Sequence, residues 1–173
     1  QSDFAKIGLT LFSIRNGDAE ALTRGHGMLY AEKALIVRKD QLCPSHFHLS
    51  KTEDIINRGG GRLVLELVST LPDGSPDEYA PVRVMTDGMW RKLPARGKLA
   101  LAPGESVTLV PRLAHAFWAE DEDVFVGEVS TVNDDETDNV FLQQVGRFPV
   151  IEEDAAPHRL IVGDYRKLIE DAA

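Results

Sequence analysis

The feature that most restricts the fold is the run SHFHLSKTEDIINRGGG at residues 45–61. His46 and His48 are separated by a single residue. On an extended segment, positions i and i+2 share a face, so a strand here brings both imidazoles to one point. Glu53 lies five residues beyond His48. That odd spacing lets its carboxylate join the imidazoles only if the backbone bends in between, and Leu49-Ser50-Lys51-Thr52 is polar enough to hold such a bend. A further ligand must come from a distant part of the chain, and His115 is the candidate. The expected constellation is a metal site of His46, His48, Glu53 and His115.

The rest of the chain offers short β-rich runs broken by turn residues. Residues 3–14 fit either a helix or a first strand, and Asp18 can cap a short helix running through Arg24, ended by Gly25 and Gly27. MLYAEKALIVRKDQLCPSHFH reads as paired strands. EDIIN (53–57) and RLVLELVST (62–70) read as two strands joined by Gly59-Gly60-Gly61 as a tight hairpin. After the Pro- and Gly-rich loop 71–81, residues 82–93 form a hairpin turning at Asp87-Gly88, and residues 98–111 form two strands around Pro103-Gly104. AHAFWAE (114–120) and VFVGEVSTV (124–132) make a last pair across the acidic run Glu120-Asp121-Glu122-Asp123. Strands at this spacing indicate a sandwich or barrel. The chain closes on an expected helix beginning at Asp164, with Tyr165, Leu168 and Ile169 on one side.

With 173 residues and one cysteine, the chain suits a single domain, residues 1–173, whose barrel core spans about 28–150 with the terminal segments packed outside. Cys43 alone excludes an intrachain disulfide and fits a reducing cytoplasm. A net charge of −9 argues against nucleic acid, and no apolar run approaches the roughly 20 residues that span a bilayer. His26 and His158 lack sequence partners as ligands. Trp90 and Trp118 are expected in the core or an interface, Phe47 and Phe117 behind the ligand histidines, and Cys43 as a small buried residue.

His46-x-His48-x4-Glu53-x6-Gly60 resembles the first motif of the cupin superfamily, with Gly104, Pro111 and His115 as a looser second motif. The resemblance implies an all-β, cupin-type double-stranded β-helix (jelly-roll barrel) with peripheral helices. HFHLSKTEDIINRGGGRLVLEL, EVSTVNDDETDN and VGRFPVIEED together resemble the D-lyxose isomerases, over roughly residues 28–154. That narrower resemblance implies a divalent metal, usually manganese, a homodimer, and interconversion of D-lyxose with D-xylulose, with D-mannose and D-fructose as second substrates. The donor set itself accommodates Mn, Fe, Co, Ni or Zn.

Aldose–ketose exchange moves a proton between C1 and C2 through a cis-enediol, and so needs a base and a partner acid beside the substrate. Lys51 lies inside the expected bend, where it can donate to a substrate oxygen or, with its pKa lowered near a cation, transfer a proton. Lys33, in YAEKALIV, matches a lysine that the resemblance places at the site. Glu128, Glu66 and Glu152 are the carboxylates available as base. Glu128 leads, because it shares strand parity with Val124, Val126 and Ser130. Asp134, Asp135 and Asp138 read as a solvated loop, while the resemblance of NDDETDN implies that they line the site or fix a turn. Two other functions remain open: a cupin Fe(II) dioxygenase, and a non-catalytic sugar-binding cupin.

Overall fold

A computed structural model describes residues 3–135 and 137–143. Its elements in chain order are β1 (Thr10–Asn16), α1 (Ala19–Arg24), β2 (Tyr30–Val37), β3 (Leu42–His48), β4 (Glu53–Ser69), β5 (Val82–Thr86), β6 (Met89–Leu93), β7 (Gly97–Leu101), β8 (Ser106–Leu109), β9 (Leu113–Thr131) and β10 (Asn139–Phe141). Asp18 caps α1 by accepting from the Glu20 N–H at 2.7 Å, and Gly25 ends it in the left-handed region. Asp87 and Gly88 both take positive φ, 49° and 81°, as the expected two-residue hairpin turn between β5 and β6 requires.

Two strands set the architecture. β4 and β9, of 17 and 19 residues, run antiparallel from Glu53↔Ser130 to Ser69↔Leu113. Halfway along, the register slips on either side of Gly59 and Gly60, and Asp121 turns to φ 70°. Beyond this bend, the first half of β9 pairs with β3 and the second half of β4 with β7. Before it, the second half of β9 pairs with β2 and the first half of β4 with β8. One bent ribbon thereby supplies the middle of two sheets, β10-β3-β9-β4-β7 and β1-β2-β9-β4-β8-β5-β6. Between them lies a core that includes Leu35, Ile55, Leu65, Val107, Phe117 and Val126, all at most 2% exposed. This is the expected jelly roll.

Three expectations about the strands need correcting. The glycine triplet does not turn a hairpin: EDIIN and RLVLELVST belong to one strand. A Cβ on Gly60 would lie 1.9 Å from the Asp123 carbonyl oxygen, and one on Gly61 2.1 Å from that of Glu120. Glycine is needed there because the backbone of β9 occupies the space. The acidic run 120–123 likewise lies inside β9 and separates no strands. β2 and β3 pair with β9 and not with each other. Nor is Trp90 in the core: it is 61% exposed, with the Arg83 guanidinium 5.0 Å from its ring. The expected terminal helix, His158 and Glu152 lie outside the described residues.

Candidate metal centre

Far from the bend, the free ends of the two sheets face one another, and the chemistry-bearing residues collect there. Period-2 alternation on β3 turns His46 and His48 to one face and Phe47 to the other, where it packs with Val68 and Ala114. β9 sets His115 directly across from His46, with ring centroids 4.3 Å apart. Phe117, two residues further along the same face, stacks on His115 at 6.4 Å. From the other sheet, Glu53 opens β4 opposite Ser130, and Lys33 pairs with Glu128 across β2 and β9. Residues 49–52 form the bend between His48 and Glu53, as their spacing required.

One nitrogen from each of the three imidazoles lies within 4.8 Å of the others. The Nδ1–H of His46 donates to the Pro44 carbonyl at 2.8 Å, and that of His115 to the Leu113 carbonyl at 3.1 Å. Those bonds place the proton on Nδ1 and leave Nε2 with its lone pair. His48 Nδ1 lies 3.4 Å from Asp138 Oδ2. The Glu53 carboxylate approaches His115 Nε2 at 3.2 Å and His48 Nε2 at 3.4 Å, joining the two sheets. Neither approach has hydrogen-bond geometry, and both Nε2 atoms are buried without a hydrogen-bond partner among the described residues. Buried orphan nitrogens of this kind, beside a carboxylate, fit a divalent cation. Burial, helped by the neighbouring His115, holds the His46 pKa well below the ordinary imidazole value, which keeps the ring neutral as a ligand must be. Against the cost of burial, the Lys51 ammonium 2.7 Å away favours the ionised Glu53 carboxylate.

Beside the imidazoles is a charged network. Lys51 Nζ sits 2.7 Å from Glu53 Oε2 and 2.8 Å from Glu128 Oε1. Lys33 Nζ reaches the same Glu128 oxygen at 3.3 Å. All four side chains are at most 6% exposed. Burial alone would lower the Lys51 pKa, yet Glu53 and Glu128 overcome it and hold the ammonium above its ordinary value. With these two carboxylates alone beside it, Lys51 is a charged donor. Cys43 is buried and its thiol is pushed up by desolvation and by the two glutamates, which makes it inert.

Glu66 lies elsewhere, paired with Arg96 at 3.1 Å on the outside of the barrel. His26 is exposed. Two residues of one acidic phrase support the site, Asp138 as the turn-fixing residue that the resemblance implied and Asn133 without having been singled out. Asp138 accepts from the Ser50 N–H at 2.7 Å, the Ser50 hydroxyl at 2.6 Å and the Lys51 N–H at 3.3 Å, so it fixes the loop that bears the lysine. Asn133 Oδ1 accepts from Lys33 at 2.6 Å and from Lys51 at 3.3 Å. Both lie in the NDDETDN phrase, whose acidity reads as a solvated loop.

A jelly roll with three buried imidazoles and a carboxylate at its mouth defines a cupin with a donor set for a divalent ion. The family model for D-lyxose isomerase matches residues 1–165. A D-lyxose/D-mannose isomerase from Serratia proteamaculans is 48% identical over 96% of this chain and 73% of its own length. One of the same name from Escherichia coli O157:H7 is 45% identical over the same shares. A solved L-ribose isomerase from Cellulomonas parahominis has the same fold, with a TM-score of 0.56 at 19% identity over 79% of this chain and 70% of that one. The chain belongs to the D-lyxose isomerase family.

Proposed function

We propose that this protein is a divalent-metal-dependent aldose–ketose isomerase that interconverts D-lyxose and D-xylulose, and also D-mannose and D-fructose, through a cis-enediol. The relatives' names support D-lyxose and D-mannose as the aldoses. The observation that carries the chemistry is the Lys51 ammonium wedged between Glu53 and Glu128. An ion held by His46, His48, Glu53 and His115 would polarise the sugar carbonyl and stabilise the negative oxygen that develops.

The proton steps fall to the chain's own groups. Both lysines engage Oε1 of Glu128, and Oε2 makes no hydrogen bond among the described residues. Glu128 takes the C2 proton through that oxygen while Lys51 protonates O1, giving the cis-enediol. Lys51 then recovers the O2 proton and Glu128 delivers its own to C1, which yields the ketose. Lys33 holds Glu128 in place from β2. Glu152 belongs to the same expectation as a further carboxylate near the mouth. A wall of charged side chains, where oxygen chemistry would want a dry aromatic one, favours proton transfer over dioxygenation.

The same reading takes manganese as the ion, which a mixed imidazole–carboxylate set accommodates. It takes a homodimer as the assembly, supported by the exposed apolar side chains of Phe12, Ile36 and Phe125 on the outer face of β1, β2 and β9. It takes the cytoplasm as the compartment; no helix among the described residues is long and apolar enough to cross a membrane. The test is to strip the protein with chelator, reload it separately with Mn, Fe, Co, Ni and Zn, and follow ketose formation from D-lyxose and D-mannose in D2O. Turnover with deuterium entering the sugar at the exchanged carbon is expected. No ketose from either sugar with any ion would overturn the proposal.

A further inference from the structure

Asn133 touches neither the imidazoles nor Glu53, yet its Oδ1 sits against both ammonium groups of the charged network, at 2.6 Å from Lys33 and 3.3 Å from Lys51. With Glu53 and Glu128 it surrounds the Lys51 ammonium with three oxygens, two of them hydrogen-bond acceptors and the third an ion-pair partner. An amide oxygen accepts without adding charge. It therefore locates two buried cations beside Glu128 without competing with that carboxylate for their charge.

Asn133 follows the end of β9 and has no strand or helix of its own to fix it. What fixes it is Asn16, the last residue of β1, 117 positions earlier. The Asn133 N–H donates to Asn16 Oδ1 at 2.9 Å, and Asn16 Nδ2 donates back to the Asn133 carbonyl at 2.9 Å. Two antiparallel bonds from one side-chain amide set both the position and the orientation of a residue's backbone. Close packing secures the same junction: a Cβ on Gly17 would stand 2.1 Å from the Met28 carbonyl oxygen and 2.9 Å from Val132 Cγ2. The chain leaving Asn16 is thus pressed against the residue that precedes Asn133.

We infer that Asn133 is a positioning residue for the proton transfer, holding Lys33 and Lys51 against Glu128, and that Asn16 positions Asn133 from the far end of the chain. This rests on the isomerase reading above. The test compares Asn133→Ala, Asn16→Leu and the double variant in manganese-loaded protein, measuring kcat and KM for D-lyxose, metal content and Tm. Each single variant is expected to lose about 10- to 100-fold in kcat, with KM and metal stoichiometry unchanged. Because Asn16 acts through Asn133, the double variant should be no slower than Asn133→Ala alone, whereas independent roles would let the losses multiply, and a merely structural role would lower Tm and metal content together with kcat. Asn16→Ala replaces the leucine variant if that one does not fold. Multiplying losses, or an Asn16 variant with wild-type kcat, would overturn the inference. Absence of turnover in the wild type would instead defeat the isomerase reading beneath it.

Discussion

At the bend of the β4–β9 ribbon, Arg62 pairs with Glu120 at 3.0 Å and with Asp121 at 2.9 Å, and the three side chains are between 37% and 61% exposed. At the mouth of the same ribbon, Lys51 pairs with Glu53 at 2.7 Å and with Glu128 at 2.8 Å, and no side chain exceeds 6% exposure. The two triads each set one cation between two carboxylates, at nearly the same distances. Water separates them. Exposed pairs contribute about 0–1 kcal/mol, whereas each buried ion costs several kcal/mol to desolvate and needs complete pairing to offset it. Buried charge so fully partnered, beside orphaned imidazole nitrogens, is what a reaction requires and a stable fold does not. The bend shows the alternative: there the ribbon's charges face solvent, and the bend depends on glycine.

Four substitutions break or sharpen this contrast, the most damaging first. His115→Gln removes one of three imidazole donors; ion binding should weaken by more than the roughly 10- to 100-fold seen for outer partners, with turnover lost. Metal analysis after dialysis checks it, and full stoichiometry would remove His115 from the ligand set. Glu128→Gln keeps the shape of the mouth but removes the proposed base, so kcat should fall about 10²- to 10⁴-fold with metal retained. Steady-state kinetics on the reloaded enzyme decides, and unchanged kcat would pass the role to another carboxylate. Gly60→Ala at the bend forces a Cβ onto the Asp123 carbonyl at a φ of 94°, and should lower stability by roughly 3 kcal/mol in urea unfolding. Arg62→Ala, a few ångströms of chain away, should cost no more than about 1 kcal/mol and leave kcat untouched. A large loss there would mean the exposed triad matters more than its solvation allows.

What could be read from the residues follows the range of the interactions. His46, His48 and the bend before Glu53 obey the two-residue period of a strand, and the parity of Glu128 with Val124 and Val126 told its side correctly. The short hairpin at Asp87-Gly88 and the Asp18 cap are equally local. The long strands were not legible, because Gly59-Gly60-Gly61 and Glu120-Asp121-Glu122-Asp123 have the composition of turns. Only the crossing of two backbones at the bend, where β9 leaves no room for a Cβ on Gly60 or Gly61, shows why the glycine run stays inside a strand. Asn133 was hidden, and Asp138 was named only through the resemblance of its phrase: their partners are 82 and 88 residues away in Lys51 and Ser50. Nothing in an acidic phrase says which of its members will be drawn under a loop by so distant a contact.

The shared ribbon also has a consequence for how the molecule comes into being. A chain made from its N-terminus presents β2, β3 and β4 long before β9, yet all three pair with β9. Until then β4 has only the later strands β7 and β8 beside it, and His46, His48 and Glu53 exist without His115. Ladders closed between such distant segments form slowly, and their unpaired edges are exposed to wrong partners meanwhile. An ion cannot nucleate this fold from a half-made chain. The centre assembles only when β9 docks.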